Sequence, residues 1–414
     1  MKKGLNILWI KSGPLHPLDS GGKIRTFNML RELRKRHRIT YVALASRSAG
    51  DAWKSKALEY CHRVISIDWN ESAKYSWRFY LEIAKNMLCS DRPYAVDKYA
   101  SSAMKKAIAA FDTRECDLMV CDFLAVAMNF PSERMTPSIL FEHNVESDIW
   151  RRHYELRSGR PLLRWYFHAQ WRRMVHIESR CCRRFDGVVT VSPKDAETLR
   201  TALHVTNVIG DVPAGVDLEY FDPKCDVRPA LPRIIFIGSM DWLPNDDAVR
   251  HFIRDIYPKI KLAAPEATFT IAGRKPSPAL YGLARRDESI EVTGTVEDIR
   301  PYARGAMVMV IPMRIGGGTR LKIFEGMAMR IPIVSTEVGA EGMPVSHGNN
   351  ILLANDADSF AREVVRLLQD PNLREKIASR ALRMVQKDYS WDAVSRAFES
   401  HCYRILSDTQ KRRT

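Results

Sequence analysis

Short runs of β-branched and other apolar residues alternate with longer stretches of helical periodicity along most of this chain. Such a pattern buries its strands in a largely parallel sheet covered by helices, because each parallel pair needs a crossover connection. In the first half the strand candidates are residues 5–10, 39–44, 64–67, 118–121, 139–141 and 188–191. The helix expected after the first of them carries Ile24, Phe27, Leu30 and Leu33 on one side. Residues 211–232 (DVPAGVDLEYFDPKCDVRPALP) are rich in Pro, Asp and Gly and read as a linker. A second series follows, with strand candidates 234–237, 269–272, 290–292, 308–311 and 331–334. From residue 356 the pattern is helical to the end, Pro371 marking one break. At 414 residues the chain is too long for one ordinary core. The reading is α/β: two doubly wound, Rossmann-like domains spanning 1–212 and 213–390, with a last helix, 391–414, packing back on the first. Such sheets bind ligands outside the carboxyl ends of their strands, so the natural site is the cleft between the domains.

The basic excess is one-sided. Of the net +15, residues 1–200 carry 35 Lys+Arg against 22 Asp+Glu, leaving 29 against 27 for the rest. It concentrates in Arg31–Arg38 and in Arg151–Arg184, the latter with ten arginines beside Trp165, Tyr166, Phe167 and Trp171. Basic, aromatic-rich helices lie on anionic membrane surfaces or bind phosphorylated ligands, and equally form ordinary solvated faces. No nucleic-acid recognition motif accompanies them. No segment approaches 18 uninterrupted apolar residues, so no transmembrane helix is expected. The apolar run at residues 5–10 is too short for a secretory core. Eight cysteines lie scattered without a CxxC, which fits reduced thiols in the cytosol and neither a zinc site nor a disulfide framework.

One segment points to specific chemistry. Residues 316–328 (GGGTRLKIFEGMA) run from glycines through Thr319, a good N-cap, into a helix with Leu321, Phe324 and Ala328 on one stripe. Its first turn carries Arg320 and Lys322, although cations at the positive end of a helix dipole cost roughly 0.3–1 kcal/mol each. The arrangement suits an anion: backbone N–H groups of Gly317, Gly318 and Thr319, the dipole and two basic side chains would converge on a phosphate or diphosphate. Glu325 shares the face of Lys322 and could accept hydrogen bonds from sugar hydroxyls. A second glycine loop, Gly21–Gly22, follows the first strand and opens a helix with Lys23 and Arg25, though a plain strand–turn–helix junction reads the same. Glu142, His143 and Asn144 follow the strand 139–141, where a histidine could donate a hydrogen bond or relay a proton near neutral pH. In the second series Gly238 ends a strand, and Ser239, Asp241 and Asn245 would project into the cleft, with Trp242 packed in the core. Gly273 and Arg274, and Thr295, end two further strands. No Walker loop and no GxGxxG is present.

Taken together these stretches resemble the GT-B glycosyltransferases of the retaining family-4 type. The carriers are Gly21–Gly22, VVTVSPKD at 188–195, PAGVDLEYF at 213–221, FIGSMDWLPN at 236–245, IAGRKP at 271–276, VTGTVEDI at 292–299 and the GGGTRLKIFEGMAMRIPIVSTEVGAEG segment. The subgroup with GSMDWxPN and GGGTRLK is similar to bacterial enzymes that build surface polysaccharides and glycoconjugates. Two departures stand out. The family commonly has two glutamates with seven residues between them; Glu325 matches the second, and the first falls on Gly317. The family's Arg and Lys after the strand-end glycine are also absent, with Ser239 after Gly238 and Asn245 near the lysine position.

The resemblance implies metal-independent transfer, without a cofactor, of a sugar from a UDP or GDP sugar to a saccharide, lipid-linked or other hydroxyl acceptor. It implies retention of configuration, with Arg320 and Lys322 supplying the missing positive charge. His143 would contact the donor sugar or position the acceptor beside Glu142 and Asn144. The expected place is cytoplasmic, with peripheral contact to an anionic membrane on its inner face. Two alternatives stay open: a GT-B epimerase or phosphorylase, and a non-catalytic nucleotide-sugar binding protein.

Overall fold

The computed structural model describes residues 4–413, apart from 47–49, 51, 74–75, 112–114, 132–135, 156–158, 160, 223–231 and 316–320. The chain divides into two compact units, Met1–Pro213 with Val394–Thr414, and Ala214–Ala393.

The first unit is built on seven parallel strands: β1 (Asn6–Lys11), β2 (Arg38–Ala45), β3 (Arg63–Asp68), β4 (Leu118–Asp122), β5 (Ser138–Phe141), β6 (Gly187–Thr190) and β7 (Val208–Asp211). Their order is β3-β2-β1-β4-β5-β6-β7, so the winding reverses between β1 and β4. The central strands are apolar on both faces because helices cover both. At the middle of the sheet Trp9, fully buried, meets Phe141 at 6.4 Å and Phe398 at 5.4 Å between ring centroids. Phe398 comes from the last helix, Trp391–Arg413, whose Glu399 also pairs with Arg36 at 3.0 Å.

The second unit repeats the plan with β8 (Arg233–Ile237), β9 (Thr268–Ala272), β10 (Ile290–Gly294), β11 (Val308–Ile311), β12 (Ile333–Ser335) and β13 (Leu352–Leu353). The order is β10-β9-β8-β11-β12-β13, again all parallel, with the reversal between β8 and β11. Its core rings include Phe252, tilted against Phe269 at 4.6 Å and edge-on to Phe360 at 6.2 Å.

The α/β reading, with two doubly wound parallel sheets, agrees with this architecture. The strand expected at 331–334 starts two residues later, after Pro332, which has no N–H to donate to a ladder. β7 and β13 were too short to show a period in sequence, and β7 ends on a residue assigned to the linker. Among the described residues no helix is long and apolar enough to cross a membrane.

Phe252 is fully buried among aromatic neighbours that cannot collapse into its place. Phe252→Ala is expected to destabilise the second unit by about 3–5 kcal/mol, read from the midpoint of its urea transition. A loss below about 1 kcal/mol would show that this core repacks freely.

Candidate functional site

Both reversals of winding carry polar groups, and the two are best built separately. In the second unit the loops after β8 and β9 touch through their backbones. A Cβ on Gly273, whose φ is +155°, would lie 1.9 Å from the carbonyl oxygen of Gly238, so no side chain fits there. The contact is closed by the Gly238 N–H donating to Ala272 (3.0 Å) and the Met240 N–H donating to Arg274 (2.9 Å). Arg274 Nε donates to Ser239 Oγ at 2.7 Å, while Asp241 lies 3.6 Å from both Arg274 and Lys275.

Asn245 turns inward rather than out of the loop. It is buried, its Nδ2 donates to the Ser239 carbonyl (2.8 Å), and its Oδ1 accepts from Lys322 Nζ (2.7 Å). Lys322 opens the helix Leu321–Ala328, which is anchored by buried Ile323, Phe324 and Met327, with Phe324 stacked on Tyr389 at 4.5 Å. The ammonium lies 4.5 Å above the Phe236 ring, and a Cβ on Gly238 would come within 2.9 Å of it. A cation from the first turn of a helix is thus held against the strand-end glycine of a loop by an amide and an aromatic face. Glu325 follows one turn later, half-buried, its carboxyl raised to about 6 by burial against the opposing pull of Lys322. Thr295 stands exposed at the end of β10 on the same edge of the sheet. Gly317, Gly318, Thr319 and Arg320 lie outside the described residues. Trp242, expected in the core, is 40 % exposed where the helix Leu243–His251 begins.

In the first unit the register that pairs Ile10 with Cys121 sets Lys11 beside Asp122. Asp122 has no exposure and gathers four partners. Its Oδ2 accepts from Trp9 Nε1 (2.9 Å), Lys11 Nζ (2.9 Å) and Thr26 Oγ1 (2.7 Å), and its Oδ1 stands 2.8 Å from His143 Nε2. Burial alone would raise this carboxyl, but Lys11 and His143 outweigh it and hold Asp122 well below the usual carboxylate range. His143 is pushed down to about 3, first by burial and then by Lys11 and Arg25, with Asp122 opposing. The ring is therefore neutral near pH 7. That corrects the expectation of a proton relay at neutral pH, which assumed a solvated histidine.

The ring is also immobilised, stacked on Phe123 at 3.9 Å and edge-on to Phe141 at 4.4 Å. Phe123 takes φ +78°, a strained value for a bulky residue, and reaches the helix Gly21–Leu33 where Gly22 leaves room for it. A Cβ on Gly22 would lie 2.8 Å from Phe123 Cζ and 3.9 Å from His143 Nδ1. That Nδ1 is buried with no hydrogen-bond partner among the described residues.

Other expected residues of this edge differ in burial. Arg25 is buried, its guanidinium lowered to about 10 by burial while Asp122 and Asp195 oppose. Glu142 is buried beside Glu178 and Glu146, and burial first, then those like charges, raise its carboxyl well above the ordinary value. Glu178 in turn accepts from the backbone N–H groups of Glu146 (2.6 Å) and Ser147 (3.0 Å), capping the helix Glu146–Glu155. Asn144 is half-buried and Gly21 exposed. Sequence reasoning missed Lys11, Thr26 and Asp122. The signal was a charge closing each of two apolar strand runs, which matters only once those strands are known to be neighbours.

With the geometry described, the relatives become informative. Residues 231–370 match the family model described as glycosyl transferases group 1. A 44.6 kDa protein of the cps region of Klebsiella pneumoniae is 23 % identical over 165 residues, 38 % of this chain and 42 % of that one. The phosphatidyl-myo-inositol mannosyltransferase of Mycolicibacterium smegmatis is 26 % identical over 193 residues, 45 % of this chain and 49 % of that one. The chain thus spans less than half the length of these curated relatives. In fold it is similar to the sucrose-phosphate synthase of Thermosynechococcus elongatus (TM-score 0.68, 16 % identity, 98 % of this chain and 100 % of that one). It is also similar to Anabaena Alr3699/HepE in complex with UDP (TM-score 0.67, 12 % identity, 97 % and 100 %). By the sequence of residues 231–370 and by the fold of its two units, the protein is similar to the group 1 glycosyltransferases of GT-B type.

Proposed function

We propose that the chain is a retaining, metal-independent glycosyltransferase that moves a sugar from a nucleoside-diphosphate sugar to an acceptor hydroxyl. The observation that carries this reading is Lys322, whose ammonium is fixed against Gly238 by Asn245 at the reversal of the second sheet. A preorganised cation there would stabilise the charge that develops on a departing diphosphate. It also supplies positive charge beside the very loop that lacks the Arg and Lys of the resembling family. Glu325, on the same helix, would hold the ribose hydroxyls. In the first unit the Nδ1 of a neutral His143, buried and without a hydrogen-bond partner among the described residues, would accept from a sugar hydroxyl, its ring held by Phe123, Phe141 and Asp122. Gly238, Ser239, Asp241, Gly273, Arg274 and Thr295 would line the donor on the strand-end edge.

The donor is a UDP or GDP sugar; the Anabaena relative solved with UDP makes UDP the first to try. The acceptor is a saccharide, a lipid-linked sugar or another hydroxyl, in bacterial glycan assembly of the kind the Klebsiella cps relative suggests. The protein works on the cytoplasmic side, at the inner face of the membrane if its acceptor is lipid-linked. A thermal-shift panel of UDP, GDP, ADP, TDP and CDP tests the reading: at 100 times its Kd the right ligand stabilises by about 2.7 kcal/mol. No shift with any of the five would remove the nucleotide-sugar assignment.

Lys322→Ala is expected to weaken the preferred nucleoside diphosphate by about 1.5–3 kcal/mol, one to two decades, and the bare nucleoside hardly at all, by titration calorimetry. Equal losses for the two ligands would place the ammonium away from the phosphates. Glu325→Gln should instead weaken both, since both carry the ribose.

The pH dependence follows from His143. Its folded value of about 3 lies below the ordinary 6.5, so folding favours the neutral ring. That contribution is present above 6.5 and is lost as pH falls from there towards 3. On acidification to about pH 5, unfolding free energy should move against the wild type relative to His143→Gln by about 1.4 kcal/mol per pH unit. A pH-independent difference would mean that His143 titrates as it does in water.

A further inference from the structure

Eight large apolar side chains of the first unit are exposed among the described residues, and seven of them sit on two helices. The helix Trp77–Cys89 shows Trp77, Tyr80, Leu81 and Leu88 with exposures of 67, 56, 58 and 85 %. With exposed Ala84 they follow i, i+3, i+4, i+7 and i+11, a single stripe, and that stripe faces solvent. The helix is held from behind by its one fully buried residue, Asn86, a polar one. Asn86 Nδ2 donates to the Arg92 carbonyl (3.1 Å) and Asp97 (3.0 Å), and its Oδ1 accepts from Gln170 Nε2 (3.2 Å). Gln170 belongs to the helix Pro161–Arg184, and Arg173 of that helix donates to the Met87 carbonyl at 3.0 Å. The second helix adds Leu162, Leu163 and Trp165, exposed by 83, 42 and 63 %.

We propose that these two clamped helices form a platform that seats the first unit on an anionic lipid bilayer. This names the surface for the inner-face placement proposed above and rests on that part of the reading. The choice of occupant comes from charge. Arg78 and Lys85 flank the apolar stripe, and Glu82, the sole acid of that helix, is engaged by Tyr94 Oη at 2.8 Å. The helix Pro161–Arg184 holds six arginines, with Arg164, Arg172 and Arg180 exposed, against one glutamate, Glu178, which is buried. Trp, Tyr and Leu interleaved with Arg and Lys match the headgroup boundary of an acidic membrane, whereas protein interfaces are poor in Lys.

Only part of the surface expected from sequence serves this end. Trp165 is exposed, but Phe167 packs on Trp150 (5.6 Å) and Trp171 on Tyr154 (5.7 Å), and Tyr166 is half-buried. In the other basic run Arg34 and Arg36 are tied to Cys61 and Glu399.

The full chain is sedimented with vesicles of phosphatidylglycerol and phosphatidylcholine, and with phosphatidylcholine alone. Two sets of surface variants accompany it, W77S/L81S/L88S and L162S/W165S. The wild type is expected to bind the anionic vesicles, and each set to lower the partition coefficient about tenfold or more. The thermal shift with the preferred nucleoside diphosphate should not change. Three results would overturn the platform: a wild type left in the supernatant at low salt, binding indifferent to both sets, or a wild-type dimer in solution that they convert to monomer. A missing nucleotide shift in a wild type that binds vesicles would count against the transferase reading alone.

Discussion

A carboxylate sealed from water organises the first unit. Asp122 has zero exposure, and a lone buried charge of that kind would cost several kcal/mol. It is tolerated because β1 and β4 lie side by side at the reversal of winding, which brings Lys11 and Trp9 to it from one strand and Thr26 from the following helix. The same carboxylate stands 2.8 Å from Nε2 of His143, whose ring is buried between Phe123 and Phe141. Removing one partner leaves the others buried and unmatched, so the group acts as a unit.

The second unit solves a related problem with different means. Its cation is half-exposed and is positioned by one amide, one ring and a glycine with no side chain to displace it. The reversal in the first unit therefore holds a neutral, buried histidine beside a paired carboxylate, and that in the second a half-exposed cation.

Much of this was legible in advance. Alternating short and long periods imply parallel α/β sheets, and glycines at strand ends mark where backbones must approach. What stayed hidden was inter-strand adjacency. Lys11 and Asp122 are 111 positions apart, and nothing local to either says that they are neighbours. The sequence places Asn245 in a strand-end loop that would project into the cleft; only the arrival of Lys322 from the helix Leu321–Ala328 explains why it turns in. The helix Trp77–Cys89 is not marked out by its sequence, because its apolar residues look like core until the burial of Asn86 shows which side faces in.

The last helix has a consequence for how the protein is made. Phe398 and Glu399 complete the packing around Trp9 and Arg36, yet they leave the ribosome only after the entire second unit. The first unit is thus completed only after the second has been made. While Ala214–Ala393 is being translated, the first sheet waits with the side of Trp9 that Phe398 will cover still unoccupied. A nascent chain in that state offers chaperones an apolar target, and its release depends on the arrival of the helix Trp391–Arg413.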